Sequence, residues 1–230
     1  MNFLRFALVD GGTLEIEPNR LVVAGWTGRD AAAIEHHIEE LARIGVPRPS
    51  AVPLYYRLSS NLLTQADSLE MLGASSSGEA EPVFVRQGGR WWLTVGSDHT
   101  DRGVEAYSVA VSKQMCAKPV ARAAWAWDEV AARADELVLR SEILEGGRWV
   151  TYQEGALAGI RPLQSLIDGL PADVAVADGL VLFCGTLSAI ANAAGQAIRP
   201  ADGMRVELVD PAASRRISHR YRVAALPMVS

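Results

Sequence analysis

Acidic residues lie on both sides of an apolar stretch that has the composition of two β-strands. Glu79 and Glu81 precede the run PVFVRQGGRWWLTV, and Asp98 and Asp101 follow it in GSDHTDR. Residues two apart in a strand point to the same face of a sheet, so Glu79 and Glu81 are expected to project together. Carboxylates gathered in this way are the ligands that hard divalent cations prefer.

The Gly-Gly pair at 88–89 is a two-residue turn signal between the two halves of this run. Such a turn pairs Gln87 with Arg90. Continued outwards, the same register places Glu79 directly opposite Asp98 on one face of the hairpin.

Glu81 is then diagonal to Asp98, so three carboxylates share that face. Like charges directly opposite each other destabilise a sheet, and they raise one another's pKa unless a cation neutralises them. We therefore predict that Glu79, Glu81 and Asp98 bind Mg²⁺, or alternatively Mn²⁺ or Ca²⁺. A solvated acidic hairpin end is the other interpretation, and a β-bulge at Pro82 would break the register.

Composition narrows the class of protein. The chain has 230 residues, a net charge of −5 and no block of Lys or Arg, so we expect no nucleic-acid partner. Its longest apolar stretch, GLVLFCGTL, is too short to cross a bilayer, so we expect no membrane partner. The two cysteines, Cys116 and Cys184, have no CxxC spacing, which favours reduced thiols in the cytoplasm.

Most of the chain reads as short strands, with three short helices between them. The first helix has Ile34, Ile38 and Leu41 at helical spacing, Asp30 as its N-cap, and Gly45 with Pro47 (residues 45–47) as its end. This pattern predicts an α+β fold that is mostly β, a mixed β-roll or sandwich rather than layered βαβ units.

Several of these segments together resemble the fumarylacetoacetate hydrolase superfamily. GEAEPVFV followed by LTVGSDHTDRGVE is similar to that family's metal-binding core, and Asp98, Thr100 and Arg102 fit its second motif. Lys113 falls where the family has a lysine. EILEGGRW, ADGLVLFCGTL and RPADGMRVELV resemble its later motifs in the same order, over roughly residues 24–225.

The sequence departs from the family's motifs at three places, which concern the substrate pocket more than the metal site. Pro82 follows the acidic pair, no proline follows Thr186, and QEGAL stands where many members have a substrate-facing segment. A non-catalytic binding protein of the same fold, or a purely structural β-domain, therefore remains an alternative.

The resemblance implies a fumarylacetoacetate-hydrolase-like mixed β-roll or sandwich with short helices. It implies a short N-terminal β segment at residues 1–25 and a catalytic domain at residues 26–230, together forming one compact unit. Members of the family are commonly dimers, so a homodimer is expected.

A histidine and a glutamate lie one turn apart on the first predicted helix. His37 shares the sector of Ile34 and Leu41, and Glu40 is its neighbour at i+3. Such a pair can activate a water molecule, and some lytic family members carry a His-x-x-Glu pair on a short helix. The alternative is a half-buried histidine beside a solvated glutamate.

The family resemblance implies a metal-dependent hydrolase that cleaves a C–C bond in a small 2-oxo acid or 1,3-dicarbonyl compound of the acylpyruvate type. His37 and Glu40 would activate water, Lys113 and Arg102 would stabilise the developing enolate charge, and the substrate would contact Arg102, Gln153 and Thr186. Decarboxylation, isomerisation or dehydration of a 2-oxo acid uses the same metal-enolate chemistry and is the alternative.

Overall fold

The computed structural model describes residues 3–43 and 48–229, except for the side chains of residues 37, 40 and 41. The structure is α+β and mostly β, which confirms the predicted class. The strands within the described residues are β1 (Leu4–Ala7), β2 (Thr13–Ile16), β3 (Arg20–Gly25), β4 (Leu54–Leu58), β5 (Leu63–Thr64), β6 (Ser68–Leu72), β7 (Ser76–Ser77), β8 (Ala80–Gln87), β9 (Arg90–Ser97), β10 (Thr100–Asp101), β11 (Lys118–Pro119), β12 (Trp125–Ala126), β13 (Val138–Glu145), β14 (Arg148–Ala156), β15 (Leu180–Phe183), β16 (Gly203–Asp210) and β17 (Arg215–Leu226).

The helices are short. They are α1 (Ala31–Arg43), α2 (Arg102–Glu105), α3 (Val109–Gln114), α4 (Trp127–Val130), α5 (Leu163–Asp168) and α6 (Ala172–Ala175), with 3₁₀ turns at Ser60–Leu62, Ala131–Glu136 and Leu157–Gly159. Within the described residues, none of these helices has the length and hydropathy needed to cross a membrane.

Two sheets dominate the fold. One has six strands in the order β12-β9-β8-β15-β3-β4, and the other has five in the order β14-β13-β16-β17-β6. Strands β3 and β15 pair in parallel although about 160 residues separate them in sequence, and both are almost wholly buried. Because β3 ends at Gly25, the expected N-terminal segment contributes a strand to the larger sheet. The division at residue 25 stays a prediction.

The turn between β8 and β9 is the one that the sequence predicts. Gly88 and Gly89 have φ angles of 61° and 69°, the left-handed conformation that a two-residue type I′ turn requires. Gln87 pairs with Arg90 across this turn.

At the other end of the hairpin the register is also the predicted one. Ala80 pairs with Ser97, and the next residues outward, Glu79 and Asp98, are joined by a backbone hydrogen bond of 2.9 Å. The pairing stays regular through Pro82, so no bulge intervenes between β8 and β9. The two acidic ends of the run therefore meet.

The two faces of β8 bury their side chains in different cores. Phe84 packs in a core that lies between the two sheets and includes residues of β13, β16 and β17. Val83 and Val85 point the other way and pack with Leu4 and Phe6 from the β1–β2 hairpin. Glu81 shares the face of Val83 by strand alternation, so the carboxylates lie on the side of the N-terminal hairpin.

The helices near the acidic hairpin are capped by side chains. The Asp30 carboxylate accepts hydrogen bonds from the amides of residues 32 and 33, which confirms it as the N-cap of α1. The expected end of α1 at residues 45–47 lies outside the described residues. Asp101 caps α2 and Ser108 caps α3, two of the helices that the sequence does not indicate. Helix α3 carries Lys113.

Gly185, just after β15, is expected to be intolerant of any side chain. Its φ is +88°, and a Cβ there would lie 1.6 Å from the Thr27 hydroxyl oxygen. Gly195 is a matched control, because its φ is +80° but a Cβ there would meet nothing within 4 Å. Gly195→Ala should lose about 1–3 kcal/mol of unfolding free energy from backbone strain. Gly185→Ala should lose clearly more in urea titrations, and equal losses would show that the contact with Thr27 costs nothing.

Candidate metal centre

Three carboxylates converge at the open end of the β8–β9 hairpin. Glu79, Glu81 and Asp98 each offer an oxygen, and these oxygens all lie within 4.8 Å of one another. Glu81 is 2% exposed and Asp98 is fully buried, whereas the Glu79 side chain is 17% exposed. Strand alternation and the turn register alone produce this grouping, because all three residues belong to one hairpin or its immediate ends.

Glu81 is held by a residue that follows β15, the strand beside β8 in the sheet. Its carboxylate accepts a 2.7 Å hydrogen bond from the backbone amide of Gly185, which follows β15. Burial, and then the nearby charge of Asp98, raises the pKa of the Glu81 carboxyl well above its ordinary value. A bound cation would reverse that shift, since it stabilises the ionised carboxylate.

Asp98 is flanked by the ammonium groups of two lysines. Lys113 Nζ donates a short hydrogen bond to Asp98 Oδ2, and Lys118 Nζ lies 3.2 Å from Oδ1. Burial alone would raise the pKa of Asp98, but the charges of Lys113 and then Lys118 outweigh it and lower that pKa. Asp98 is therefore ionised although water does not reach it.

Lys118 is a site residue that the sequence reasoning missed. It lies in β11, is fully buried, and donates hydrogen bonds to the carbonyl oxygens of His99, Lys113 and Cys116 at 2.5, 2.5 and 3.1 Å. The composition could have identified it, because the chain has only two lysines but twenty arginines. A residue type used so sparingly, twice within six positions and close after Asp98, is a candidate for a special role.

Arg102 lies on the outer side of the cluster. Its guanidinium is 3.3 Å from the Glu79 carboxylate, donates two 3.0 Å hydrogen bonds to Glu105, and donates another of 2.7 Å to the Ser77 hydroxyl. The predicted position of Arg102 beside the carboxylates thus corresponds to an ion pair with Glu79. Its contact with substrate stays a prediction.

Gln153 and Thr186 lie behind the hairpin and contact each other. The Gln153 amide nitrogen donates to the Thr186 hydroxyl at 2.6 Å and to the Leu187 carbonyl at 2.7 Å. Its oxygen accepts from the Ala80 amide and the Ser141 hydroxyl, each at 2.9 Å. The side chain is 1% exposed and has used its full hydrogen-bonding capacity.

Thr186 is half-buried, and its hydroxyl donates to the Ala80 carbonyl at 2.7 Å. A hydroxyl has two acceptor lone pairs, and Gln153 uses one of them. A ligand donor could therefore still bind Thr186. Substrate contact by either residue stays a prediction.

The side chains of His37 and Glu40 lie outside the described part of the structure, although their backbone belongs to α1. Their pairing and their distance from the carboxylates stay predictions. What the structure does describe is the segment that leads to α1. Trp26 has a positive φ of 61° and hydrogen-bonds the half-buried Tyr56, whose phenol is close enough to Lys113 to feel its charge.

His99 does not belong to the carboxylate cluster, although it follows Asp98 directly in the sequence. It is buried, and its Nε2 lies 2.7 Å from the Tyr221 hydroxyl oxygen. Burial lowers the pKa of His99 to about 3, so the imidazole is neutral at physiological pH.

The fold also gathers arginines that are scattered in the sequence. A concave surface of about 990 Å³ on the outer face of the five-stranded sheet is lined by basic and acidic side chains. Arg140 pairs with Glu154, and Arg205 pairs with Glu142, each at 2.5 Å. The arginines that line it are Arg122, Arg140, Arg205, Arg216, Arg220 and Arg222. Because the fold brings these arginines onto one surface, the expectation that the protein binds no nucleic acid rests only on its net charge. It stays a prediction.

The residues at the hairpin end fit a hard divalent cation. The donors are all carboxylate oxygens, and Asp98 Oδ1 is a buried oxygen that accepts no hydrogen bond in the structure. Lys118 Nζ lies 3.2 Å from that oxygen, but it lies closer to three backbone carbonyl oxygens, at 2.5 to 3.1 Å. An unsatisfied buried carboxylate oxygen beside two further carboxylates is the arrangement that a metal ligand set requires.

The fold is shared with several solved structures. Cg1458 matches with a TM-score of 0.65 and 13% identity, covering 97% of this chain and 99% of that chain. A 2-keto-3-deoxy-D-arabinonate dehydratase, complexed with magnesium and 2,5-dioxopentanoate, matches with a TM-score of 0.63 and 16% identity over 93% and 75% of the two chains. A 4-oxalocrotonate decarboxylase from Pseudomonas putida G7, complexed with calcium and acetate, gives 0.54 and 16% over 88% and 76%.

These solved structures are of fumarylacetoacetate hydrolase superfamily members, so the shared fold agrees with the resemblance in the motifs. A family model described as "Protein of unknown function (DUF2848)" matches residues 24–221, and the chain belongs to that family. No curated protein sequence matches the chain.

Glu81→Gln tests the metal site without changing the shape of the side chain. Metal affinity should fall by at least ~10–100-fold, the loss seen when only an outer partner of a ligand is removed. The variant should unfold at a temperature no lower than the wild type, because a neutral amide is easier to bury than a carboxylate.

Calorimetric titration with MgCl₂ and MnCl₂, and thermal unfolding, measure the two effects. The exposed Glu70 on β6 provides the control Glu70→Gln, which should change neither. Wild-type affinity in Glu81→Gln would mean that the cation binds elsewhere.

Proposed function

We propose that this protein is a divalent-metal-dependent enzyme of the fumarylacetoacetate hydrolase superfamily that acts on a small 2-oxo acid or 1,3-dicarbonyl acid. The convergence of Glu79, Glu81 and Asp98 at one hairpin end is the observation that carries the proposal. The magnesium and calcium in the similar solved structures support Mg²⁺ as the cation, with Mn²⁺ or Ca²⁺ as alternatives.

The metal would bind the three carboxylates and act as a Lewis acid and template for the oxygens of a 2-oxo acid. Basic side chains beside the carboxylates would bind the remainder of the substrate. Lys113 and Arg102 line the same carboxylates, and in our proposal they hold the substrate carboxylate and stabilise negative charge that develops on the enolate oxygen.

Thr186 and Gln153 have different roles in this proposal. Thr186 is half-buried and keeps a free lone pair, so it would accept a hydrogen bond from substrate. Gln153 is saturated by protein partners, so it would act as a positioning residue that orients Thr186 and holds the Ala80 amide behind Glu81.

Hydrolytic cleavage of a C–C bond in an acylpyruvate-type substrate is our specific proposal for the reaction. It rests on the His37–Glu40 spacing in α1, because an imidazole beside a carboxylate can take a proton from an attacking water. Helix α1 begins shortly after Trp26, whose strained backbone is held beside Tyr56 and the lysine-bearing helix. Backbone strain of this kind clusters at functional sites.

Dehydration or decarboxylation of a 2-oxo acid is the second candidate. The similarity to the dehydratase and the decarboxylase structures favours it. Neither reaction needs an activated water that attacks a carbonyl, so the His37–Glu40 pair would not carry the chemistry in that case.

We place the enzyme in the cytoplasm, because Cys116 and Cys184 are both free and buried, as expected in a reducing compartment. Assembly as a homodimer is proposed from the family resemblance alone.

A substrate panel separates the two reactions. Acylpyruvates, 2-keto-3-deoxy sugar acids and unsaturated 2-oxo dicarboxylic acids would each be incubated with the protein and Mg²⁺ or Mn²⁺. Our proposal expects loss of the enol absorbance of an acylpyruvate, with pyruvate and a carboxylic acid as products. Release of CO₂, or loss of one water detected by mass spectrometry, would instead establish the second candidate. No turnover by the wild type, with metal demonstrably bound, would favour a binding protein.

His37→Ala should lower the turnover of the cleaved substrate by about 10²–10⁴-fold, the usual contribution of a general acid–base group. Metal affinity should not change, because His37 is not a proposed ligand. His36→Ala is the matched control on the same helix and should keep turnover near the wild-type value.

Glu40→Gln should act in the same direction as His37→Ala, and the double variant should lose little more, because groups that act as a unit are not additive. Near-normal turnover of His37→Ala would rule out water activation by this pair. The reaction would then depend on the metal and the lysines.

A further inference from the structure

The two lysines of the chain converge on one carboxylate. The sequence has two lysines and twenty arginines, yet Lys113 contacts one oxygen of Asp98 and Lys118 approaches the other. Lysine is a compact point charge on a flexible stem, whereas arginine is a planar fork. The use of lysine at these two positions alone indicates that a compact ammonium is required beside Asp98.

The two ammonium groups are held in different ways. Lys118 is fully buried, and its three N–H groups are directed at three backbone carbonyl oxygens, at 2.5 to 3.1 Å. Moving Lys118 would remove a hydrogen-bond donor from each of these three backbone carbonyls. Lys118 is therefore a fixed part of the site.

Lys113 has no such backbone partners. Within the described structure its ammonium contacts Asp98 and, at 3.4 Å, the hydroxyl of Thr100. Its side chain is 9% exposed and extends from the last turn of α3. Rotation about its own stem can therefore take the ammonium away from Asp98 without unpairing any backbone group.

The Lys113 ammonium lies beside the carboxylates that a metal would bind. The charges of Asp98, Glu79 and Glu81 all act on it, and these are the three residues whose oxygens lie within 4.8 Å of one another. An ammonium and a dication on the same buried carboxylate repel each other strongly at this distance. Metal binding at Asp98 therefore weakens its ion pair with Lys113.

We propose that the Lys113 ammonium is the resident counter-ion of the carboxylate cluster and that a divalent cation displaces it from Asp98. The displaced ammonium then binds the carboxylate of the anionic substrate. This inference rests on the proposed function, since it requires the metal to bind at Glu79, Glu81 and Asp98. It gives Lys113 two successive partners and makes substrate binding follow metal binding.

Amine acetylation tests the displacement, because the chain offers the reagent only two lysines besides its terminus. The wild-type protein would be treated with a small acetylating reagent, with and without MgCl₂ or MnCl₂. Mass spectrometry of the peptides would follow each lysine separately. Lys113 should react slowly without metal and several-fold faster with it, whereas Lys118 should stay protected in both. Oxalate added after the metal should protect Lys113 again.

Two variants control the experiment. Glu81→Gln should show no effect of metal on Lys113, which excludes a general effect of salt. Lys113→Met, with a side chain of similar length, should bind Mg²⁺ several-fold more tightly than the wild type in calorimetric titrations, because the competing cation is gone.

The outcomes separate this inference from the proposed function. If calorimetry shows bound metal but Lys113 labelling is unchanged or slower, the displacement is wrong and the metal site stands. Weaker Mg²⁺ binding by Lys113→Met would overturn it as well. If the metal frees Lys113 but oxalate does not protect it again, the second step is wrong. No metal binding at all would overturn the proposed function together with this inference.

Discussion

Asp98 carries a charge where water does not reach it, and the surrounding structure compensates that charge. A buried carboxylate without partners is so unfavourable that it would take up a proton or unfold its surroundings. Lys118 supplies a fixed positive charge, and three backbone carbonyls hold that charge in place. This arrangement determines the path of the chain from Asp98 to β11, because residues 99, 113 and 116 must each present a carbonyl to one ammonium group.

The hairpin sets the spacing of the carboxylates, but more distant segments hold them rigid. Strand β8 lies between β9 and β15, and its pairing with the β15 segment extends to Pro82, next to Glu81. The Gly185 amide binds Glu81 from one side, and Gln153 binds the Ala80 amide from the other. Both partners come from segments at least 70 residues away in sequence. A ligand set with this support is held ready before any cation binds.

The sequence predicted the local part of this site and missed the distant part. The Gly-Gly turn and strand alternation are local rules, so the pairing of Glu79 with Asp98 could be read directly. The Gly185 amide and the role of Lys118 depend on tertiary packing, which no spacing rule specifies. Helix α3 was also missed, because its six residues are too few to show a periodic pattern, although it turns Lys113 towards Asp98. His37 and Glu40 depend on the family resemblance as well as on helical spacing.

The charge balance of the site explains why its ligand should be an anion. Glu79, Glu81, Asp98 and Glu105 face Arg102 and two lysines. With Glu81 ionised, as a bound cation favours, four carboxylates and three basic groups leave one net negative charge. A bound dication turns this into one net positive charge in a region of low dielectric, where an excess of either sign is costly. A substrate carboxylate restores neutrality. A neutral ligand would leave the excess in place, so the same buried charges that favour a metal also favour an acid as its companion and disfavour a neutral ketone of the same shape.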